Sequence, residues 1–196
     1  MLVPDRILRA AAERIEPALR DMTPKQQQRH ERILRVAEKF FVTWGVTSVP
    51  FNGLAAALKI GPGTLRQHFV DRDCILFEIL RRHLTTLKQR LADLPKKDFR
   101  ARHRAYTELT RDKDGNAAGA HLLLTRERHT LPTDLQEEII RLYEAVGAEL
   151  TATSPEQACE LLDLHSIPAP MRELLLEQVD ALSETVAMPQ APPLAA

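Results

Sequence analysis

Residues 32–80 decide the fold of this chain, and they read RILRVAEKFFVTWGVTSVPFNGLAAALKIGPGTLRQHFVDRDCILFEIL. We interpret this stretch as three short helices followed by the start of a long fourth helix. The second and third helices are joined by a tight turn at Lys59, Ile60 and Gly61. That arrangement is typical of a helix-turn-helix, a motif that places its second helix in a groove of DNA.

Apolar residues at three- and four-residue steps predict the inner faces of the first two helices. In the first helix these residues are Ile33, Ala37, Phe40, Phe41 and Trp44. Gly45 is expected to end that helix, because glycine accepts the left-handed backbone found at helix C-termini. In the second helix the inner residues are Phe51, Leu54, Ala55 and Leu58.

The third helix, predicted over residues 62–69, is the candidate reading helix. Pro62 suits its first position, where the missing N–H costs nothing. Leu65 and Phe69 are predicted to point inward. The residues on or near the outer face are Thr64, Arg66, Gln67 and His68. A helix this short is not stable alone in water, so it must pack on the other two helices. Its polar face is then left to contact a partner outside the core.

Capping signals predict where several helices begin. Thr23 and Gln26 form a capping box with Pro24 between them, so the first helix is predicted over Pro24–Trp44. Ser48 is expected to cap the second helix and Asp71 the fourth, which should run to about residue 94. Later helices are predicted over residues 98–111, 117–128, 133–151, 154–165 and 171–187, the third of these starting with a capping box of Thr133 and Gln136.

The run GTLRQHFVDRDCIL, residues 63–76, resembles the end of the DNA-binding domain in the TetR family of bacterial transcriptional regulators. The family pattern is Gly-Thr-Leu-Tyr-x-His-Phe, followed by a helix that starts with Ser/Asn-Lys-Glu/Asp-x-Leu. The matching residues are Gly63, Thr64, Leu65, His68 and Phe69, with Arg72 and Asp73 at the Lys-Glu positions. The chain departs from the pattern with Arg66 for tyrosine, Pro62 for a polar residue, and Lys59 for a turn glycine.

The resemblance implies an all-α protein with two functional parts. Residues 23–70 would be a three-helix, helix-turn-helix DNA-binding domain, and residues 71–188 a helical domain for effector binding and dimerisation. Residues 1–22 would be an N-terminal extension, with a helix over residues 5–20 that packs on the domain or contacts DNA through Arg6, Arg9 and Arg14. The proline-rich residues 189–196 would form a disordered tail.

The DNA-contacting residues expected from the motif and the resemblance are Ser48, Asn52, Lys59, Gly63, Thr64, Arg66, Gln67, His68 and Arg72. Thr64 and His68 would donate to phosphate oxygens, which positions the protein without reading sequence. Gln67 suits adenine. Arg66 suits guanine, or alternatively acts as a phosphate clamp, because tyrosine often contacts phosphate at this position in the family.

Charge is distributed unevenly along a chain whose formal net charge is zero. Residues 29–70 carry six basic side chains against two acidic ones, whereas residues 71–196 carry 16 against 21. The basic part coincides with the helix-turn-helix, so the acidic remainder is expected to face away from DNA.

The resemblance also implies partners: a palindromic operator, a second copy of the chain paired through its last two helices, and a small-molecule effector. Leu87, Tyr106 and Leu123 are the candidate lining of an effector pocket, and a core without a cavity is the alternative. Release of operator DNA by the effector would make the protein a repressor. The rival hypothesis is a helical protein-interaction module that has lost sequence-specific DNA binding.

Other classes of function lack a supporting motif. No phosphate loop, nucleophile elbow or carboxylate dyad is present, so no catalytic role and no cofactor are expected. His121, Glu127 and His129 are interpreted as solvated or core residues rather than metal ligands. The two cysteines, Cys74 and Cys159, show no metal spacing, and no apolar run could span a bilayer, so a cytoplasmic protein is expected.

Overall fold

The computed structural model describes residues 22–96 and 98–151, and over those ranges the chain is all-α, as predicted. The helices are α1 (Pro24–Trp44), α2 (Phe51–Leu58), α3 (Pro62–His68), α4 (Arg72–Ala92), α5 (Phe99–Thr110), α6 (Gly119–Glu127) and α7 (Thr133–Thr151). A 3-10 turn (Arg128–Thr130) precedes α7. The helices predicted near residues 5–20, 154–165 and 171–187, and the predicted tail, lie outside the described residues.

Helix α1 begins and ends where its sequence signals place it. The Thr23 hydroxyl accepts a hydrogen bond from the Gln26 backbone N–H, and the Gln26 side-chain oxygen accepts one from the Thr23 N–H at 2.8 Å. Gly45 follows the helix with φ of 78°, and its N–H donates to the Phe41 carbonyl. The capping box and the glycine stop are therefore confirmed.

The start of α2 differs from the prediction that Ser48 caps it. Ser48 lies in an exposed turn, and the residue immediately before α2 is Pro50, which makes no side-chain capping hydrogen bond. A proline ring disfavours helical backbone at the residue before it, here Val49. The helical conformation therefore cannot extend from Ser48 to Phe51, and the prediction of a serine cap was wrong.

The turn between α2 and α3 depends on an unusual backbone at Lys59. This residue ends α2 with φ of 55° and ψ of 43°, in the left-handed region. Among the described residues it is the one non-glycine with positive φ. Gly61 and Pro62 then begin α3, with Pro62 at the first helical position as predicted.

Replacing Lys59 by glycine is expected to raise the free energy of unfolding by about 1 kcal/mol. Left-handed backbone costs a residue with a Cβ roughly 1–2 kcal/mol, and the larger chain entropy of glycine offsets part of the gain. Urea unfolding followed by circular dichroism measures the change. Lys113→Gly is the matched control, because Lys113 is also exposed in a turn but has no positive φ. Equal effects at both positions would mean that Lys59 is not strained.

Helix α4 is the central element of the described fold. Asp71 caps it as predicted, accepting a hydrogen bond of 2.8 Å from the Cys74 N–H. The helix packs against α1, α5, α6 and α7. The buried apolar residues of α1–α3 and of α4–α7 belong to one cluster. A movement in the helices beyond residue 71 can therefore reach the helix-turn-helix through packed side chains.

The start of α7 also differs from its prediction, because the capping box of Thr133 and Gln136 does not form. Thr133 is already part of the helix. The Gln136 side-chain N–H instead donates to the carbonyls of His129 and Leu131, at 3.1 and 2.6 Å. Those carbonyls lie at the end of the 3-10 turn and accept the amide in place of the expected bond to Thr133.

Candidate nucleic-acid interface

Helix α3 rests on a buried apolar base and presents polar side chains to solvent. Leu65 is fully buried, and Phe69, directly after the helix, is also buried. Arg66 and Gln67 are exposed, as their positions in the sequence predict. A guanidinium and a carboxamide that project side by side from such a helix have the donors and acceptors needed to contact base edges or phosphates.

His68 was expected on or near the outer face of α3, and the structure corrects this position. Its side chain is only 6% exposed, and its ring centroid lies 5.8 Å from that of His30 on α1. Position 68 is three residues after Leu65, so both side chains share the inner face of the helix. Burial, followed by the charge of Arg29, lowers the pKa of His68. His68 therefore packs α3 onto α1 rather than projecting toward a ligand.

Most of the other predicted contact residues are exposed, whereas the Arg72 side chain makes contacts within the protein. Those exposed to solvent are Ser48, Asn52, Lys59 and Gly63, whereas Thr64 is half-buried. Arg72 donates from Nη1 to the Thr47 carbonyl at 3.0 Å, and its Nε lies 3.6 Å from the Asp73 carboxylate. Arg72 thus holds the turn between α1 and α2 against the start of α4.

A basic groove, called the α1 groove below, lies between the first half of α1 and the α2–α3 turn. Its volume is about 520 Å³. Among the described residues, the cationic ones that line it are Lys25, Arg29, Arg32, Arg35 and Lys59, and no described acidic residue does so. Within the described ranges none of these five side chains forms an ion pair. Unpaired cations on one concave surface attract a polyanion.

Four of the five cations in the α1 groove were not among the residues predicted to contact DNA. Lys25, Arg29, Arg32 and Arg35 recur at steps of four, three and three residues, which places them on one face of α1. That spacing was readable in the sequence. Only the structure shows that this face meets Lys59 across a groove.

A charged network joins α1 to α4. The Glu78 carboxylate is fully buried and accepts hydrogen bonds from Arg81 Nε at 2.8 Å and from Arg82 Nε at 2.6 Å. Arg82 also forms an ion pair with Glu31 of α1. Burial alone would raise the pKa of Glu78, but the hydrogen bonds and charges of the two arginines bring it below its ordinary value. Glu78 therefore holds both guanidiniums in place as a charged acceptor.

Helix α6 is tied to the helix-turn-helix at both of its ends. Near its start the Ala120 N–H donates to Glu38 of α1. At its end the Glu127 carboxylate accepts a hydrogen bond of 3.4 Å from the Val46 N–H. Gly119 has φ of 52°, and a Cβ there would come within 2.7 Å of the Glu38 carboxylate. Glycine is therefore needed where α6 approaches α1 most closely.

The three residues proposed to line an effector pocket belong to the core of the described fold. Leu87 and Tyr106 are fully buried, and Leu123 is nearly so. Beside them lies a pair of histidines, with His83 Nε2 at 3.3 Å from His121 Nδ1. Burial lowers the pKa of His83 to about 4, so this ring is neutral at neutral pH. Helices α4, α5 and α6 thus enclose these polar groups beside the apolar side chains of Leu87 and Leu123.

Two findings concern the described residues alone. No group of three or more His, Cys, Asp or Glu side chains there could hold a metal ion. His121 instead pairs with His83, Glu127 binds the Val46 N–H, and His129 is exposed. None of the described helices is both long enough and apolar enough to cross a membrane.

These elements define the class of protein as an all-α protein with an N-terminal helix-turn-helix. No family model matches the chain. The chain is 37% identical over 59 residues to an HTH-type transcriptional regulator of Staphylococcus aureus (strain bovine RF122 / ET3-1). That match covers 30% of this chain and only 32% of the relative, so it supports no conclusion about the whole protein.

The particular fold is that of the TetR family of transcriptional regulators. A bacterial regulatory protein of that family from Rhodococcus RHA1 matches with a TM-score of 0.57 and 15% identity, over 83% of this chain and 98% of that one. AibR, solved in complex with isovaleryl coenzyme A and operator DNA, matches with a TM-score of 0.52 and 17% identity, over 72% and 88%. The resemblance stated from the sequence is confirmed in the fold.

Proposed function

We propose that this protein is a TetR-type transcriptional regulator that binds operator DNA. The observation that carries the proposal is the α1 groove, whose five cations have no acidic neighbour among the described lining residues. Phosphates of a DNA backbone neutralise such a groove, with release of counterions. Arg66 and Gln67 on the exposed side of α3 then contact base edges in the major groove.

The proposal assigns different tasks to the two sets of residues. Lys25, Arg29 and Arg32 hold the phosphate backbone and set the register of the protein on the duplex, without reading sequence. Gln67 reads a base, and Arg66 either reads a base or clamps a phosphate. His68 supports both sets from beneath, because its ring packs against His30 of α1.

A homodimer and a small-molecule effector complete the proposed function. A two-fold dimer would present two copies of α3 to a palindromic operator. AibR, which has the same fold, was solved with both isovaleryl coenzyme A and operator DNA. This supports the proposal of an effector, which we assign to the helices that follow the helix-turn-helix. An effector that prefers the conformation unable to bind DNA would make the protein a repressor.

The test is binding of the purified protein to duplex DNA from its own upstream region, compared with random duplex of equal length, at two salt concentrations. We expect tighter binding to the upstream duplex and a steep loss of affinity with salt, because phosphate contacts release counterions. Absence of binding at low salt, by a folded dimer, would instead support the protein-interaction module.

Variants separate the two tasks. Replacing both Arg29 and Arg32 by alanine should weaken binding to every duplex and reduce the slope of log K against log salt by about 2. Gln67→Ala should weaken binding to the preferred duplex by about tenfold or more and leave random duplex nearly unaffected. Lys88→Ala, at an exposed position of α4, is the matched control. If Gln67→Ala weakened both duplexes equally, the assignment of base reading to Gln67 would be wrong.

A further inference from the structure

A second basic groove, called the α5 groove below, is formed by residues that follow the helix-turn-helix in the sequence. It is formed by the outer face of α5 and the turn that follows, and its volume is about 610 Å³. This is within the range of small-molecule sites. In the part of the chain that the structure describes, four cationic residues line it, namely Arg100, Arg104, Arg111 and Lys113, against the two acidic residues Glu108 and Asp112.

Several of the charged side chains in the α5 groove are already engaged within the protein. The Asp112 carboxylate accepts hydrogen bonds from the N–H groups of Asp114 and Asn116, at 3.0 and 2.9 Å, so it is committed to the turn. The side chains of Arg104 and Lys113 make no ion pair or hydrogen bond within the described ranges, and both residues are exposed. Two available cations therefore stand on one concave surface, with Glu108 as the remaining exposed carboxylate in the lining.

An aromatic wall accompanies these cations. Phe99 and His103 lie one turn apart on α5 and also line the groove, with ring centroids 6.0 Å apart and planes inclined by 34°. Aromatic rings accept a flat base by stacking, and guanidinium groups pair with phosphate oxygens. The groove thus combines one stacking surface with two phosphate-binding cations.

We propose that the α5 groove binds a nucleoside phosphate, with the base against Phe99 and the phosphates on Arg104 and Lys113. Arg111 contributes less, because its guanidinium already donates to the Gly115 carbonyl. Binding at this site does not depend on the proposed DNA-binding function. An effect of the bound nucleoside phosphate on DNA binding, through the connection described next, does rest on that function.

The α5 groove is connected to α1 by a short stretch of chain. The backbone of Arg111, in the groove lining, forms an isolated antiparallel β-bridge with that of Ala117. The Ala118 N–H donates to the Thr110 carbonyl at 3.0 Å. The next two residues reach the Glu38 carboxylate, which accepts from the Ala120 N–H. A ligand that stabilises the turn at residues 112–116 therefore stabilises the contact of α6 with α1. Helix α1 forms one wall of the α1 groove.

Binding is tested with a fluorescent analogue of ADP titrated by the full chain, with unlabelled ADP, adenosine and inorganic pyrophosphate as competitors. We expect saturable binding with a dissociation constant below about 1 mM, displaced by ADP and more weakly by pyrophosphate or adenosine alone, because both halves of the ligand contribute. Absence of saturation at millimolar ligand, with the protein folded, overturns the proposal. Equal displacement by pyrophosphate and ADP overturns the assignment of a base to Phe99.

Charge reversal locates the site. Arg104→Glu should weaken binding of the ADP analogue by about tenfold or more, since it removes one charge-assisted contact and adds repulsion. Lys88→Glu on α4 makes the same change of charge at an exposed position outside the groove and should have little effect. Equal losses in both variants would show general attraction of polyanions and overturn the proposed site.

Discussion

Replacing Glu78 by alanine is expected to lower the free energy of unfolding by about 3 kcal/mol. Removal of one partner of a buried ion pair costs roughly 3–5 kcal/mol, because the other charge is left without compensation. Here Arg81 and Arg82 each keep 34% side-chain exposure, so water compensates in part and the lower end of that range applies. Urea unfolding followed by far-ultraviolet circular dichroism measures the loss.

Two further variants show whether the loss comes from the charged network. Glu78→Gln keeps the shape and one acceptor, so it should retain part of the stability. Glu137→Ala removes a carboxylate 3.5 Å from Arg141 at side-chain exposures of 45% and 34%, and it should cost less than about 0.5 kcal/mol. If Glu78→Ala cost no more than Glu137→Ala, the network at Glu78 would not stabilise the fold.

The network at Glu78 also bears on function, because Arg82 links it to Glu31 of α1. Glu31 adjoins His30, whose ring packs on the inner side of α3. A change in α4 that moves Arg82 therefore acts on the helix that forms one wall of the α1 groove. We expect Glu78→Gln to weaken DNA binding even where the protein remains folded.

Local signals in the sequence were sufficient for most of the described fold. The capping box at Thr23, the Gly45 stop and the Asp71 cap each depend on residues within four positions of one another, so their outcome needs no knowledge of the rest of the chain. The exceptions also have local causes. Pro50 prevents Ser48 from capping α2. The Gln136 side-chain N–H donates to the carbonyls of His129 and Leu131, at the end of the 3-10 turn, instead of bonding to Thr133.

The candidate interface was predicted less completely, because it depends on how helices pack. The exposed positions of Arg66 and Gln67 follow from the period of α3. The burial of His68 also agrees with its three-residue spacing from Leu65, but its polarity led to the opposite prediction. The α1 groove needed tertiary information, since Lys25 and Lys59 are far apart in the sequence and meet only after α2 has folded against α1.

Lowering the pH from 7 to 5 is expected to destabilise the fold, chiefly through the buried His30 and the half-buried His83. Burial, followed by the charge of Arg82, lowers the pKa of His30 to about 4, although Glu78 and Glu31 oppose the shift and His68 adds to it. Burial lowers the pKa of His83 to about 4. Unfolded chains take up these protons near pH 6.5, so stability is full above that value and is lost as the pH falls toward 4.

The size of this loss follows from proton uptake. Each of the two histidines contributes on the order of 1 kcal/mol per pH unit between pH 6.5 and about 4. Glu38 and Glu138 act in the opposite direction, because burial raises the pKa of each carboxyl and the folded state then holds their protons more tightly. The difference between a histidine variant and the natural chain is therefore a cleaner measure than the total.

His30→Phe isolates one histidine. Both ring nitrogens of His30 are buried without a hydrogen-bond partner among the described residues, and its ring stacks on Phe69 at 4.6 Å, so phenylalanine suits the site. The variant should be more stable than the natural chain at pH 5 by about 2 kcal/mol more than at pH 7. His129→Phe, at an exposed position in the 3-10 turn, should show no such pH-dependent gain. A gain in His30→Phe that was the same at both pH values would mean that His30 takes up its proton as readily in the folded chain as in the unfolded one.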